Sequence, residues 1–275
     1  MYESVRLKQN KYFPDRDLFL KYQEWDVPYA SMIHAHEFYE LEIVVEGAGV
    51  ELINGEYFAK EKGCVTIATP ADYHFFEISK HTSVIDIMFT EKIMPSGLAN
   101  QLFSKSYPRF VQLNEAKNRD LIVLCDLLKS VEQYGGTIHN NLEKRLLETI
   151  LLIILSQFEE YGEIKSREKA DDIDTVLHYI DNHFENSPSL IEVAEVIGKS
   201  PSYFSKLFKQ STGLHYNEYL NVRKIECAEM LLRFTNMNIT DIGFNSGFNS
   251  LSNFLRVFKE AKGIPPGDYR KKYRK

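Results

Sequence analysis

The sequence predicts an α+β protein in two parts: an N-terminal antiparallel β-barrel with trailing helices, followed by an all-α domain of about seven helices. Three observations carry that reading. Short β-branched and aromatic runs broken by glycines fill the first part, helix-period apolar patterns begin at Asn114, and a polar stretch from Gly162 to Ala170 separates two helical regions of different charge. The length of 275 residues suits one to two domains. The boundaries expected are 1–113 for the barrel, 114–161 for a helical connecting and dimerisation segment, 162–170 for a linker and 171–275 for the helical domain.

From Trp25 to about Phe89 the segments LEIVV, VELING, YFAKEKGCVTIAT and SVIDIMF read as strands, punctuated by Gly47, Gly49, Asn54-Gly55 and Gly63. After Asn114, LIVLCDLLKSV and LEKRLLETILLIILSQF hold Leu and Ile at helical spacing on either side of Gly135-Gly136. The second of these is apolar on more than one face, so it is buried deeply or packs on another subunit, with Leu142, Leu146, Ile150 and Ile153 as the expected homodimer contacts. In the last part Ser189-x-x-Glu192 has the form of a capping box, Ser200-Pro201 places a cap before a first-turn proline, and Gly213 and Gly263 stand where helices should stop.

Composition narrows the function classes. Hydrophobic residues at 44% and charged residues at 26% describe a chain able to bury a core. Cys64, Cys125 and Cys227 lie far apart without a C-x-x-C pair, which argues against a zinc ribbon or disulfide framework and for a reducing cytoplasm. The longest apolar run, Ile150 to Leu155, is too short to cross a bilayer, and MYESVRLKQNK lacks a signal-peptide core, so no membrane partner is expected. No phosphate-cradling glycine loop occurs. The net charge of −6 hides an asymmetry: residues 199–275 hold 14 Lys and Arg against 6 Asp and Glu, while the remainder holds 19 against 33. A basic tail beside an acidic body is the electrostatic pattern of a nucleic-acid-binding segment attached to a separate module.

The tail repeats itself with an offset of 50: Ser200, Ser202, Phe204, Phe208, Lys209, Gly213 and Tyr219 recur as Ser250, Ser252, Phe254, Phe258, Lys259, Gly263 and Tyr269. Each copy reads as a short helix, a tight turn and a second helix, the punctuation of a helix-turn-helix. In the second helix of the first copy, Tyr203, Phe204, Leu207 and Phe208 form an inward stripe, leaving Ser202, Ser205, Lys206 and Lys209 outward. In the second copy Phe254, Val257, Phe258 and Ala261 face inward, leaving Ser252, Leu255, Arg256 and Lys259 outward. Cations reach guanine edges, Ser serves several bases and Leu can touch a thymine methyl, so these faces suit the major groove of double-stranded DNA. A helix from about Tyr216 to Phe234 would be roughly 28 Å long, a spacer that could set the two units in successive grooves.

Ile239, Ile242, Gly247-Phe248, Phe254, Phe258-Lys259, Gly263, Pro266 and Tyr269-Arg270 resemble the C-terminal signature of the AraC/XylS transcriptional regulators, a likeness running over about a hundred residues. Gly243, Leu251 and Pro265 depart from the family pattern. The resemblance implies that Ser202, Ser205, Lys206, Ser252, Leu255 and Arg256 face bases, and that Lys209, Lys259, Lys262 and Arg223 contact phosphates or support helices. It further implies a cytoplasmic regulator, not an enzyme, controlled by a small effector, with RNA polymerase as a further contact.

In the barrel, His34-Ala-His36, Glu40, Gly47, then Gly63, Pro70 and His74 resemble the two cupin motifs, with Asp72 where the pattern prefers Gly. Residues two apart on a strand share a face, so His34, His36, Glu40 and His74 can converge. Three readings stay open: an effector pocket, which the resemblance to AraC-type regulators implies, with Trp25, Tyr39 and Tyr73 available to stack on a sugar ring; a divalent-metal site of a cupin enzyme or metal sensor, the expected cofactor otherwise being none; or satisfied structural histidines. Parity sets a conflict: with Glu40 and Glu42 inward, Leu41, Ile43 and Val45 point outward and need a cover, for which the helices after Asn114 are available; with those apolar residues in the core, Glu40 is solvent-exposed.

Overall fold

A computed structural model describes residues 6–26, 28–78, 80–94, 98, 108–134, 136–160 and 172–274, and it divides into two compact units, Met1–Ala170 and Asp171–Lys275. The expected linker, 162–170, lies outside the described residues.

The first unit begins with β1 (Arg6–Leu7), α1 (Gln9–Tyr12), β2 (Leu18–Trp25), β3 (Tyr29–Ala30) and β4 (Ala35–His36). It continues with β5 (Tyr39–Glu46), β6 (Ala48–Ile53), β7 (Glu56–Glu61), β8 (Cys64–Ala68), β9 (His74–Ile78), β10 (Thr82–Phe89) and β11 (Phe110–Gln112), and then α2 (Glu115–Ser130) and α3 (Gly136–Glu160). Strands order as β11-β8-β5-β10-β2 in one sheet and β3-β9-β6-β7 in another, both antiparallel, with β1 and β4 as a parallel pair. The strand reading that started at Trp25 began too late: β2 runs from Leu18 and pairs residue for residue with β10, its polar Lys21 and Gln23 having masked the strand pattern.

Parity resolves as a protein with two covered sheet faces. Leu41 and Ile43 of β5, Val65 and Ile67 of β8, and Ile85, Ile87 and Phe89 of β10 are buried in one cluster with Leu121, Cys125 and Leu128 of α2 and Leu147, Ile150, Leu151, Ile154 and Phe158 of α3. The helices after Asn114 are therefore the cover that the alternation demands. Asn114 caps α2, accepting from the Lys117 amide at 3.0 Å. Ile150 belongs to this core, so it is unavailable as a subunit contact; the exposed apolar residues of the two helices are Val123, Leu127, Ile138, Leu142 and Leu152. The opposite face of the same sheet carries Glu40, Glu42, Asp86 and Thr66 towards the interior.

The second unit has seven α-helices among the described residues: α4 (Asp172–His183), α5 (Leu190–Val196), α6 (Pro201–Thr212), α7 (Tyr216–Phe234), α8 (Ile239–Asn245), α9 (Leu251–Lys262) and α10 (Pro266–Tyr273). Ser189 and Glu192 form a reciprocal capping box on α5, Ser200 caps α6 ahead of Pro201, and Ser250 caps α9. Both α6 and α9 end on a left-handed glycine, Gly213 and Gly263, at the same φ of 76°. Phe204 and Phe208 of α6 and Phe254, Val257 and Phe258 of α9 are buried. Tyr203 and Ala261, expected inward, are exposed, because each lies at the margin of its helix's apolar stripe.

Candidate DNA-binding surface and barrel interior

The pairs α5–α6 and α8–α9 are the two helix-turn-helix units, joined by the 19-residue α7. On α6, Ser202, Lys206 and Lys209 are exposed and Ser205 is half-buried; on α9, Ser252, Leu255, Arg256 and Lys259 are exposed. The two faces are not held alike. Arg256 donates through Nη1 to both Glu260 carboxylate oxygens, at 2.9 and 2.8 Å, and through Nη2 to Asn253 Oδ1 at 3.0 Å. Its counterpart Lys206 is followed by Gln210 where the second copy has Glu260. Lys209 Nζ lies 2.8 Å from His215 Nε2, at the start of α7.

Of the residues expected to contact phosphates or support helices, Arg223 and Lys262 are engaged in helix support. Arg223 is buried, donates from Nε to Asp181 Oδ1 at 2.7 Å, pairs with Glu226 and lies 5.7 Å from the Phe184 ring centroid, tying α7 to α4 and the turn after it. Lys262 pairs with Glu229, which also accepts from the Tyr269 hydroxyl. Gly243 has a steric cause: a Cβ there would meet Phe254 Cδ1 at 2.8 Å, so α8 and α9 approach more closely than an alanine allows.

In the first unit, His36 Nε2 lies 3.1 Å from His74 Nε2 and 3.2 Å from Glu40 Oε2, and His74 Nε2 lies 3.5 Å from the same oxygen. His34 bridges to His74 through the backbone, and the two imidazole rings are 4.4 Å apart. Main-chain carbonyls orient two of the rings, with Nδ1 of His34 at 2.9 Å from the Met32 oxygen and Nδ1 of His36 at 2.6 Å from the Phe38 oxygen. Burial lowers His34 to about 3 and His74 to about 4, so both are neutral near pH 7. Burial alone would raise Glu40, but the hydrogen bond from His36 and the neighbouring histidine charges hold it down at about 2. His34, Glu40 and His74 each offer a ligand atom within 4.8 Å of the others, a donor set that fits a divalent metal.

The two aromatic residues assigned to this site lie elsewhere. Tyr39 is on the opposite face of β5, stacked on Phe89 in the core beneath the helices, because its odd position shares the parity of Leu41 and Ile43. Trp25 pairs with Thr82 at the far end of β10, whereas Glu40 pairs with Met88, a separation of roughly 20 Å along the strand. Trp25 packs on Tyr29 and Phe76 there. Tyr73 is buried, its amide donating to Asn54 Oδ1 at 3.1 Å.

A family model described as a helix-turn-helix domain matches residues 193–272. The chain is 25% identical over 245 residues to the HTH-type transcriptional activator RhaS of Escherichia coli O81 (strain ED1a), and 26% identical over 244 residues to RhaS of Enterobacter sp. (strain 638), covering 86% of both partners in each case. The chain is similar to the AraC/XylS transcriptional regulators, with its helix-turn-helix domain at 193–272. Among solved structures, the C-terminal domain of AraT, a response regulator from Geobacillus stearothermophilus, is 31% identical, with 38% of this chain and 88% of that one covered and a TM-score of 0.38. As an AraC-type regulator the chain is a DNA-binding protein, and no helix among its described residues is long and apolar enough to cross a membrane.

Sequence reasoning missed the middle of this regulator's barrel. Lys60 of β7, 1% exposed, pairs with Glu42 and lies 2.7 Å from Glu51 Oε2, to which Thr66 also donates at 2.7 Å. His74 Nδ1 stands 3.1 Å from the other Glu51 oxygen, which joins this group to the histidines. The available signal was the alternation itself: Glu42 sits between Leu41 and Ile43, and Asp86 between Ile85 and Ile87, positions at which a strand covered on both faces must hide its charge.

Proposed function

We propose that the chain reads two adjacent segments of duplex DNA, one with Ser202, Ser205 and Lys206 and the other with Ser252, Leu255 and Arg256, while Lys209 and Lys259 contact phosphates. The observation that carries this is the duplication itself: two units with the same caps, the same buried phenylalanines and the same left-handed terminal glycine, each ending in an exposed polar and cationic helix face. At 19 residues, α7 spans roughly 28 Å, close to the ~34 Å turn of duplex DNA.

The histidine end of the barrel binds a small effector, and occupancy shifts an existing equilibrium of DNA affinity. His34, His36, Glu40 and His74 are supported in this role by their convergence, whereas the sugar-stacking platform of Trp25 and Tyr39 is not assembled. The exposed Val123, Leu127, Ile138, Leu142 and Leu152 of α2 and α3 are apolar surface that a second copy would cover. Fluorescence anisotropy on a selected operator tests the DNA reading: affinity falls steeply between 50 and 200 mM salt, by about 10³-fold or more for six phosphate contacts, and a salt-independent affinity refutes it.

A further inference from the structure

The middle of the barrel interior has a chemistry of its own. Glu42 from β5, Glu51 from β6 and Asp86 from β10 are 6%, 1% and 2% exposed, and Glu40 stands beyond them towards the histidines. Against these four carboxylates the buried interior supplies, among the described residues, a single ammonium, Lys60, which Glu42 and Glu51 already share. Gln23 of β2 donates to one oxygen of Asp86; the other, Oδ1, is buried with no hydrogen-bond partner among the described residues. The cross-strand neighbours of Asp86 are Glu42, a second acceptor, and Lys21, which is exposed and donates to Gln23 at 2.5 Å. A carboxyl oxygen held away from water needs a donor, a cation or a proton of its own, and among the described residues this layer offers Asp86 no further donor or cation.

We propose that the barrel effector is an organic cation, a small molecule carrying a protonated amine that Asp86 and Glu42 receive. This rests on the reading of the barrel as an effector site and names the class of molecule it takes. The aromatic end of this interior shows the same attraction for cations: Lys60 Nζ lies 5.0 Å from the Phe76 ring centroid, and Trp25 and the exposed Tyr29 pack beside that ring at 5.2 and 5.6 Å. Without a ligand, burial and the charge of Glu40 push Asp86 up to about 8, so it carries a proton at neutral pH that an arriving ammonium displaces. The hydrogen bond from Gln23, and after it Lys60 and Lys21, oppose that rise without overcoming it. Binding therefore tightens as pH rises from 6 towards about 8 and releases a proton. A neutral sugar brings hydroxyl donors but displaces no proton, and a divalent metal takes the His34, Glu40 and His74 donors instead.

The test is calorimetry on the full chain with matched pairs, glucosamine against glucose, galactosamine against galactose and putrescine against butanediol, each in two buffers of different ionisation heat, with zinc and manganese in parallel. At least one amine binds about ten-fold or more tighter than its neutral twin and releases a proton at pH 7. Asp86→Asn keeps a carbonyl for Gln23, stays folded and loses the preference; Glu42→Gln weakens it, and Glu56→Gln, exposed on β7 outside the site, keeps it. A neutral sugar that binds while its amine does not overturns the ligand class and leaves the effector site standing. Binding by metal alone, abolished in His34→Ala, overturns it in favour of a metal site. An unchanged amine preference in both carboxylate variants overturns the assignment of the residues, and binding by none of these compounds removes the inference together with the effector reading.

Discussion

The two helix-turn-helix units share their inside and differ on their outside. Phe204 and Phe254, Phe208 and Phe258, Gly213 and Gly263, Tyr219 and Tyr269 are identical pairs, and the phenylalanines are buried in both copies. Outside, Ser202 and Lys209 recur as Ser252 and Lys259, but the positions between and after them diverge: Ser205 becomes Leu255, Lys206 becomes Arg256 and Gln210 becomes Glu260. Packing tolerates few shapes, so the duplicated core stays fixed, while exposed positions are free to read different bases. The turns differ as well. Gly247 faces the main chain of Glu185, where a Cβ would come within 2.7 Å of a backbone carbon, whereas Gly198 has open space around it.

The largest effect tests the shared inside. Phe204→Ala and Phe254→Ala should each cost about 3–5 kcal/mol in urea unfolding, and a copy that loses less than about 1 kcal/mol is not packed as its twin. The turns sharpen the contrast. Both glycines have positive φ, so an alanine at either costs about 1–2 kcal/mol, but Gly247→Ala must also displace backbone and should lose at least about 1 kcal/mol more than Gly198→Ala. On the outside, Arg256→Ala should cost about 1–3 kcal/mol on the preferred sequence and relax its choice of base, whereas Lys259→Ala should weaken all sequences alike and lower the salt slope by about 1. The smallest effect is Glu260→Gln, which releases Arg256 from an exposed pair and should raise affinity about two-fold, an anisotropy measurement at low salt.

The helical unit was legible because its signals are local. Caps at Ser189, Ser200 and Ser250 and stops at Gly213 and Gly263 act within a few residues, and the repeat shows which positions are core. The barrel was legible only in outline. Convergence of His34, His36, Glu40 and His74 followed from strand parity and a motif, but Tyr39 shares the opposite parity and Trp25 lies at the other end of a strand whose start was overlooked. The burial of Lys60 with Glu42 and Glu51 depends on which strands become neighbours across two sheets, a long-range fact that no window of sequence contains. Arg223 illustrates the same limit: its charge suits DNA equally well, and only the positions of Asp181 and Phe184 commit it to the fold.

The central claim, two like-built units reading different bases, is tested most directly by selecting DNA from a random pool with the intact chain and with Arg256→Ala. The account predicts two preferred segments about one helical turn apart, with the substitution erasing preference at one position of one segment and leaving the other segment intact. A single preferred segment, or an equal loss of preference in both, would contradict it.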